Sequence, residues 1–214
     1  MPTRRDAVAT RERLLKAAAT IFSQSGFHGA SVREICAAAD ANVSAVRHYF
    51  GGKEGLYHAL LLDIFQAVRD RDPLPAFDGI TDPEETVRAW LLFYARLVLI
   101  HKADNPVIAN LINHELKQPT AALDEIINVI IRPVRRPLEE AVGALLGPAD
   151  TPERRMHCAS TIQGIILARD FGKVPLSRLG ALPVDTEAAV ATFAEEVAVF
   201  ALGGIRAVRE GVGE

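Results

Sequence analysis

Cysteine is scarce. The 214 residues hold two, Cys36 and Cys158, far apart in sequence. A disulfide framework or a cysteine-rich metal site is therefore not expected, and both residues lie in apolar helical patterns that suit buried free thiols. Long hydrophobic runs are missing too. No uninterrupted apolar stretch reaches the roughly 18 residues of a membrane span. The opening run MPTRRDAVATRERLL lacks the apolar core and small-residue cleavage site of a secretory leader. A cytoplasmic protein with no membrane partner is the expectation. Alternating strand patterns, internal repeats and low-complexity tracts are also absent. So are catalytic signatures. The six histidines show no metal-ligand spacing, His114-Glu115 has no following histidine where a zinc hydrolase needs one, and neither GxSxG nor GxGxxG occurs. Gly51-Gly52-Lys53 is not a phosphate loop, because the glycine spacing is wrong and Glu54 follows the lysine. No metal or cofactor is expected.

An overall excess of positive charge is lacking as well, since the net charge is -3. The charge is unevenly divided. Residues 1–70 hold nine Lys/Arg and seven Asp/Glu, and the remainder fifteen and twenty. A slightly basic first part on an acidic body fits localised phosphate contact rather than general polyanion binding.

What is present centres on Ser31 to Leu56, SVREICAAADANVSAVRHYFGGKEGL. Ser31 with Glu34 three places on is a capping box. Val32, Ile35, Cys36 and Ala39 then share one helical face. Asp40-Ala41 breaks the pattern, Asn42 caps a second short helix with Val46 and Phe50 inward, and Gly51-Gly52 ends it. Two short helices across a tight turn form a helix-turn-helix, whose second helix can lie in a DNA major groove. Ser31, Arg33, Asn42, Val43, Ser44, Ala45, Arg47, His48, Tyr49 and Lys53 are the candidate DNA-contacting residues; the polar ones are donors suited to phosphates and base edges. Periodicity alone leaves an ordinary helical hairpin with a solvated face equally open. Arg4, Arg5 and Arg11 are candidates for a basic arm before the first helix, which runs from about Ala7 to Ser25 with Gly26 as its stop.

The run from Thr10 to Leu61 resembles the DNA-binding domain of the tetracycline-repressor (TetR) family. RERLLKAAATIFSQSGFHGAS matches its first helix, SVREICAAAD the next, and VRHYFGGKEGLYHALL the end of the recognition helix and beyond. Aromatic-Phe, two small residues, Lys-Glu and Leu is the most specific part. Two positions depart from the pattern: Asp40 stands where many members have glycine, and Arg47 where many have tyrosine. The segment NPVIANLINHELKQPTAALDEIINVIIRPVRRPLEEAVGALLG resembles the C-terminal domain of the CecR-like branch. The resemblance implies an all-α protein of about nine helices. Residues 7–67 would be a three-helix helix-turn-helix domain, and 83–210 a regulatory and dimerisation domain. It also implies an operator DNA and a small-molecule effector as partners.

The body reads as helical on its own terms. Arg71 to Asp82 is rich in Pro, Gly and Asp and marks a boundary. Beyond it, capping residues precede proline at Asp82-Pro83, Asn105-Pro106 and Thr151-Pro152, more weakly at Gln118-Pro119, so helices are expected from about 83, 106, 119, 152 and 186. Pro133 and Pro137 predict a kink or break near Ile131. Arg132, Arg135 and Arg136 would form a solvated face or pair with acids of the first domain. Polar residues in apolar helices, with Tyr94, Asn110, His114 and Arg169 foremost, are candidates for ligand binding. The last two long helices are apolar on several sides, which a homodimeric four-helix interface would bury. The alternatives are a helical protein-interaction bundle, which leaves Arg33, Arg47, Tyr49 and Lys53 without a purpose, and an enzyme whose site is assembled from distant residues.

Overall fold

The computed structural model describes residues 4–77, 79–101 and 105–211, with side chains from Ala7 onward. All regular elements among them are helices. In order they are α1 (Arg4–Gly29), α2 (Val32–Ala38), α3 (Val43–Phe50), α4 (Lys53–Arg71), α5 (Pro83–Arg96), α6 (Pro106–Lys117), α7 (Ala122–Ile126), α8 (Arg132–Leu146), α9 (Pro152–Phe171), α10 (Lys173–Arg178) and α11 (Glu187–Arg209). The chain packs as two compact units. One is Met1–Pro73 with Asn105–Ile130, the other Leu74–Asp104 with Ile131–Glu214. The boundary near residues 71–82 is visible in the sequence punctuation. The grouping of 105–130 with the first seventy residues is not.

In the first unit α1 begins at Arg4, earlier than the expected Ala7. The Arg4 and Arg5 side chains, proposed for a basic arm, lie outside the described residues. Gly26 interrupts the helix with φ 67° and ψ 178°, and a last turn continues to Gly29. Glycine is needed there twice over. The backbone is left-handed, and a Cβ would come within 2.9 Å of His114 Nδ1 on α6. Leu14, Ala18 and Phe22 of α1, Ile35 of α2, Val46 of α3, Leu56, Leu60 and Leu61 of α4 and Leu111 of α6 are all buried. Tyr57 meets Phe22 edge-on with centroids 4.8 Å apart.

One carboxylate is sunk in this unit. Glu115 is 4% exposed. It accepts from the Tyr57 hydroxyl at 2.9 Å, the Thr120 amide at 2.8 Å and the Thr120 hydroxyl at 3.0 Å. Those donors make its burial tolerable. Burial, and then the Glu115 carboxylate, hold the Tyr57 phenol well above its usual range.

The second unit contains α5, α8, α9, α10 and α11. Asp82 and Thr151 cap α5 and α9, each with proline in the first turn, as their spacing predicts. The helix expected from Pro119 starts later, as α7, and α10 was not anticipated. The expected kink near Ile131 takes the form of a π-helical segment, Ile127–Ile131, running into α8, and a second one, Leu97–His101, extends α5. A π turn absorbs an extra residue without ending the helix. Pro133 follows this widened turn directly, at the start of α8. Beside the ladder bond that Pro137 cannot make, the Trp90 indole donates to the Val134 carbonyl at 2.7 Å.

Two sequence readings need correction. α11 is long and apolar enough by composition to cross a bilayer, with mean hydropathy 1.6 over its best window, which a count of uninterrupted apolar runs missed. Its Val190, Ala194, Val197, Ala201 and Ile205 stripe belongs to the unit's core, as in a core helix. Cys36 is a buried free thiol, but Cys158 is only half-buried.

Candidate nucleic-acid interface

Ser31 opens α2. Its hydroxyl oxygen accepts from the Arg33 amide at 3.2 Å while the Ser31 amide donates to Glu34 Oε2 at 3.2 Å, so two orphan donors of the helix start are satisfied reciprocally. Ile35, Cys36 and Ala39 face inward. The turn to α3 is closed by the Ala41 amide on the Cys36 carbonyl at 2.9 Å. Arg13, from α1, donates to the Ala39 carbonyl at 3.1 Å. Asn42 caps α3, its Oδ1 accepting from the Ser44 amide at 3.0 Å and the Ser44 hydroxyl at 3.2 Å. Gly51, at φ 78°, ends α3 by donating to the Arg47 carbonyl at 3.0 Å.

Asp40 sits in the turn at φ 48°, the non-glycine residue with positive φ among those described. This is the position where the resembling family prefers glycine, so the substitution is accommodated by strain rather than by another turn. A left-handed non-glycine residue costs about 1–2 kcal/mol, and glycine there would forfeit about 0.5–1 kcal/mol of that in unfolded-chain entropy. Asp40→Gly is expected to raise stability by roughly 0.5 kcal/mol, and Asp40→Val to lower it, both read by thermal denaturation.

The eight residues of α3 divide by angle. Val46 is buried. On the opposite side Ser44, Arg47 and His48 are exposed, and Val43 is 48% exposed. Ala45 and Tyr49 lie half-buried at the flanks, and Tyr49 meets the His48 ring edge-on at 4.9 Å. Among the described residues the Arg33 and Arg47 side chains make no hydrogen bond or ion pair, so both guanidinium groups keep their full donor sets. The others are partly committed. Ser31, Asn42 and Ser44 spend oxygens on capping, and the Lys53 ammonium stands 4.7 Å from the Phe27 ring centroid. Arg11, a candidate for the arm, instead stacks on Phe50 at 5.5 Å and lies 3.9 Å from Asp63. An outward α3 face about 12 Å long, with the Arg47 guanidinium, an imidazole and a methyl-bearing Val43, and with the open Arg33 guanidinium on the preceding α2, has the chemistry to read a groove about 12 Å wide. Arg13 was missed by sequence reasoning because it links residues 26 apart, which no local pattern signals.

The four candidate ligand residues fall in different units. Asn110 and His114 sit on α6 of the first, Asn110 exposed and His114 half-buried against Gly26. Tyr94 and Arg169 are in the second. The Tyr94 hydroxyl accepts from Gln163 at 2.8 Å and its ring stacks on Trp90 at 4.7 Å. Burial raises its pKa above the usual value. Arg169 donates to the Leu182 carbonyl. Arg135 is not on a solvated face. It binds Glu139, Gln163 at 3.0 Å and Ser160 at 2.8 Å within its own unit, while Arg136 pairs with Glu140 at 3.5 Å at the surface.

Residues 14–60 match the family described as bacterial regulatory proteins, tetR family. Residues 89–205 match the C-terminal domain of the HTH-type transcriptional dual regulator CecR. The chain is 28% identical over 171 residues to CecR of Shigella flexneri, covering 76% of each. It is 41% identical over 59 residues to the probable HTH-type transcriptional regulator YttP of Bacillus subtilis, a match that spans only 28% of either chain. Among solved structures, HlyIIR, a hemolysin II transcriptional regulator, superposes with TM-score 0.58 at 26% identity, covering 87% of this chain and 97% of that one.

Proposed function

The chain belongs to the tetR family of bacterial regulatory proteins, in its CecR-like branch, and on that premise we propose that it is a cytoplasmic, sequence-specific DNA-binding repressor released from its operator by a small molecule. The observation that carries the reading is the outward face of α3, where Val43, Ser44, Arg47 and His48 stand clear of the core. Arg33, Lys53 and the capping residues Ser31 and Asn42 flank it as phosphate contacts, with Ala45 and Tyr49 at its edge. A helical interaction bundle would have no use for two open guanidinium groups beside a capped, two-turn exposed helix.

A homodimer completes the reading, because a two-fold operator asks for two α3 helices one duplex turn, about 34 Å, apart. The last two long helices support it. On α11, Phe200, Gly203 and Ala207 face away from the buried stripe, with Gly204 at the edge between, by the 3.6-residue period. Each helical glycine costs about 1 kcal/mol relative to alanine, yet a Cβ at Gly203, Gly204 or, on α9, Gly164 would meet nothing within 4 Å. Among the described residues nothing packs against these glycines, and close approach of a second copy would account for them.

Release requires an effector that binds two conformations unequally; turning a 1:99 population into 99:1 takes about 5.5 kcal/mol of differential affinity. Tyr94 and Arg169, both in the second unit, are its proposed contacts. Asn105–Ile130 is suited to carry the signal. It packs with the DNA-reading helices but is joined at both ends to chain of the other unit.

The test is an electrophoretic shift with DNA from upstream of the protein's own gene. Arg47→Ala is expected to cost about 1–3 kcal/mol and to relax preference at particular base pairs. Lys53→Ala should weaken all sequences evenly and lower the salt slope by about one. No salt-sensitive, sequence-selective band from the parent protein defeats the proposal.

A further inference from the structure

The turn that joins α2 to α3 holds an unfavourable backbone. Asp40 stands at φ 48°, which glycine adopts freely and an L side chain does not. Its carboxylate also sits beside the carbonyl end of α2, the end of a helix that favours a cation. Two amides close the turn from within, Asp40 onto the Ala37 carbonyl at 3.3 Å and Ala41 onto the Cys36 carbonyl at 2.9 Å. Among the described residues no backbone amide outside regular helix reaches the Ala39 carbonyl.

Arg13, reaching across from α1, supplies that donor. Its Nε bonds the Ala39 oxygen at 3.1 Å, while Nη2 rests on the Thr10 hydroxyl at 3.3 Å. The guanidinium is planar, so a bond through Nε fixes direction as well as distance. A weaker brace spans the same turn. The Cys36 thiol lies 3.7 Å from the Asn42 carbonyl, and burial pushes its pKa above the usual thiol value, so the S–H is kept. The far end of α3 is held independently. Gly51 closes it on the Arg47 carbonyl, Arg11 lies over the Phe50 ring at 5.5 Å, and α4 packs alongside. The direction of α3 is therefore decided at its first turn, where Val43 and Ser44 begin the outward face.

We propose that Arg13 is a positioning residue for operator recognition: its bond to the Ala39 carbonyl holds the Asp40 turn, and with it the direction of α3, without touching DNA. The proposal rests on α3 being the DNA-contacting helix. Without the brace, the competent direction falls to about a tenth of the molecules, and the apparent dissociation constant rises about tenfold.

Arg13→Met tests this, since it keeps an apolar stem and a good helix former at an exposed position of α1. The DNA is the operator that the parent protein selects from a random library. Affinity for it is expected to fall about tenfold. Affinity for unrelated duplex should stay within about twofold and the salt slope should not change, because no phosphate contact is lost. Asp40→Gly makes the brace unnecessary, so Arg13→Met/Asp40→Gly should return to within about threefold of the parent. Measured well below the melting temperature, a loss of stability alone leaves binding untouched. A salt slope lowered by about one makes Arg13 a phosphate contact and overturns the proposal. So does parent-like operator binding by Arg13→Met, an equal loss on unrelated duplex, or no rescue by Asp40→Gly. Amide exchange reads the turn without DNA: the Ala41 amide should exchange about tenfold faster in Arg13→Met and at the parent rate in the double variant. Unchanged Ala41 exchange overturns the brace even if the parent selects no operator, so the two failures are told apart. Should Arg13→Met not fold by circular dichroism, Arg13→Lys, which loses the planar fork, takes its place with the same outcomes.

Discussion

Operator binding by the Phe200→Asp protein is expected to be roughly 10²–10⁴-fold weaker than that of the parent, with the fold intact. The reasoning starts from exposure. Phe200 is 71% and Val199 61% exposed, on a helix whose opposite stripe is buried. An aspartate there disturbs little inside the chain, so circular dichroism should be unchanged. Placed across a two-fold axis it sets two buried carboxylates near one another at an interface of apolar and small residues, which is prohibitive. The chain then elutes as a monomer. A monomer reads one half-site and loses the effective concentration that tethers the second α3 to its groove. Gly204→Leu should act alike by steric exclusion, since a Cβ there meets nothing within 4 Å of its own chain. Light scattering that finds a Phe200→Asp dimer removes α11 from the proposed interface.

Trp90→Ala is expected to lose about 3–5 kcal/mol of stability, the largest single loss foreseen in the second unit. Trp90 is fully buried, stacks on Tyr94 at 4.7 Å and donates to the Val134 carbonyl at 2.7 Å. Removal leaves a cavity and takes the indole donor from the half-buried Val134 carbonyl beside the Pro137 irregularity. Such a loss is a large part of the roughly 5–15 kcal/mol that holds a typical domain. Trp90→Phe separates the two effects, keeping much of the volume while forfeiting the hydrogen bond, at about 1–2 kcal/mol. Urea denaturation reads both. A Trp90→Phe loss equal to that of Trp90→Ala would assign the whole effect to the indole N–H.

What the sequence made legible was local. The capping box at Ser31, the Asn42 cap, the glycine stop at Gly51 and the proline-marked helix starts each depend on residues within a few positions, and the physics that forms them acts at that range. What it hid joins distant residues. Tyr57 and Glu115 are 58 apart, and no periodicity tells that a glutamate on α6 will be buried under a tyrosine of α4. The same holds for the allegiance of Asn105–Ile130. The ligand candidates were picked as polar groups on apolar helices, a pattern shared by residues that simply satisfy each other, as Tyr94 and Gln163 do. On α3 the pattern could name residues but not rank them. Ranking needs to know which oxygens capping had already consumed.

The two π-helical segments bracket the stretch that packs with the DNA-reading helices, Leu97–His101 just before it and Ile127–Ile131 at its far end. Each stores one surplus residue in a widened turn. Deleting one residue from Ile127–Ile131 should therefore restore the i→i−4 ladder and turn the side chains that follow by about 100° about the helix axis.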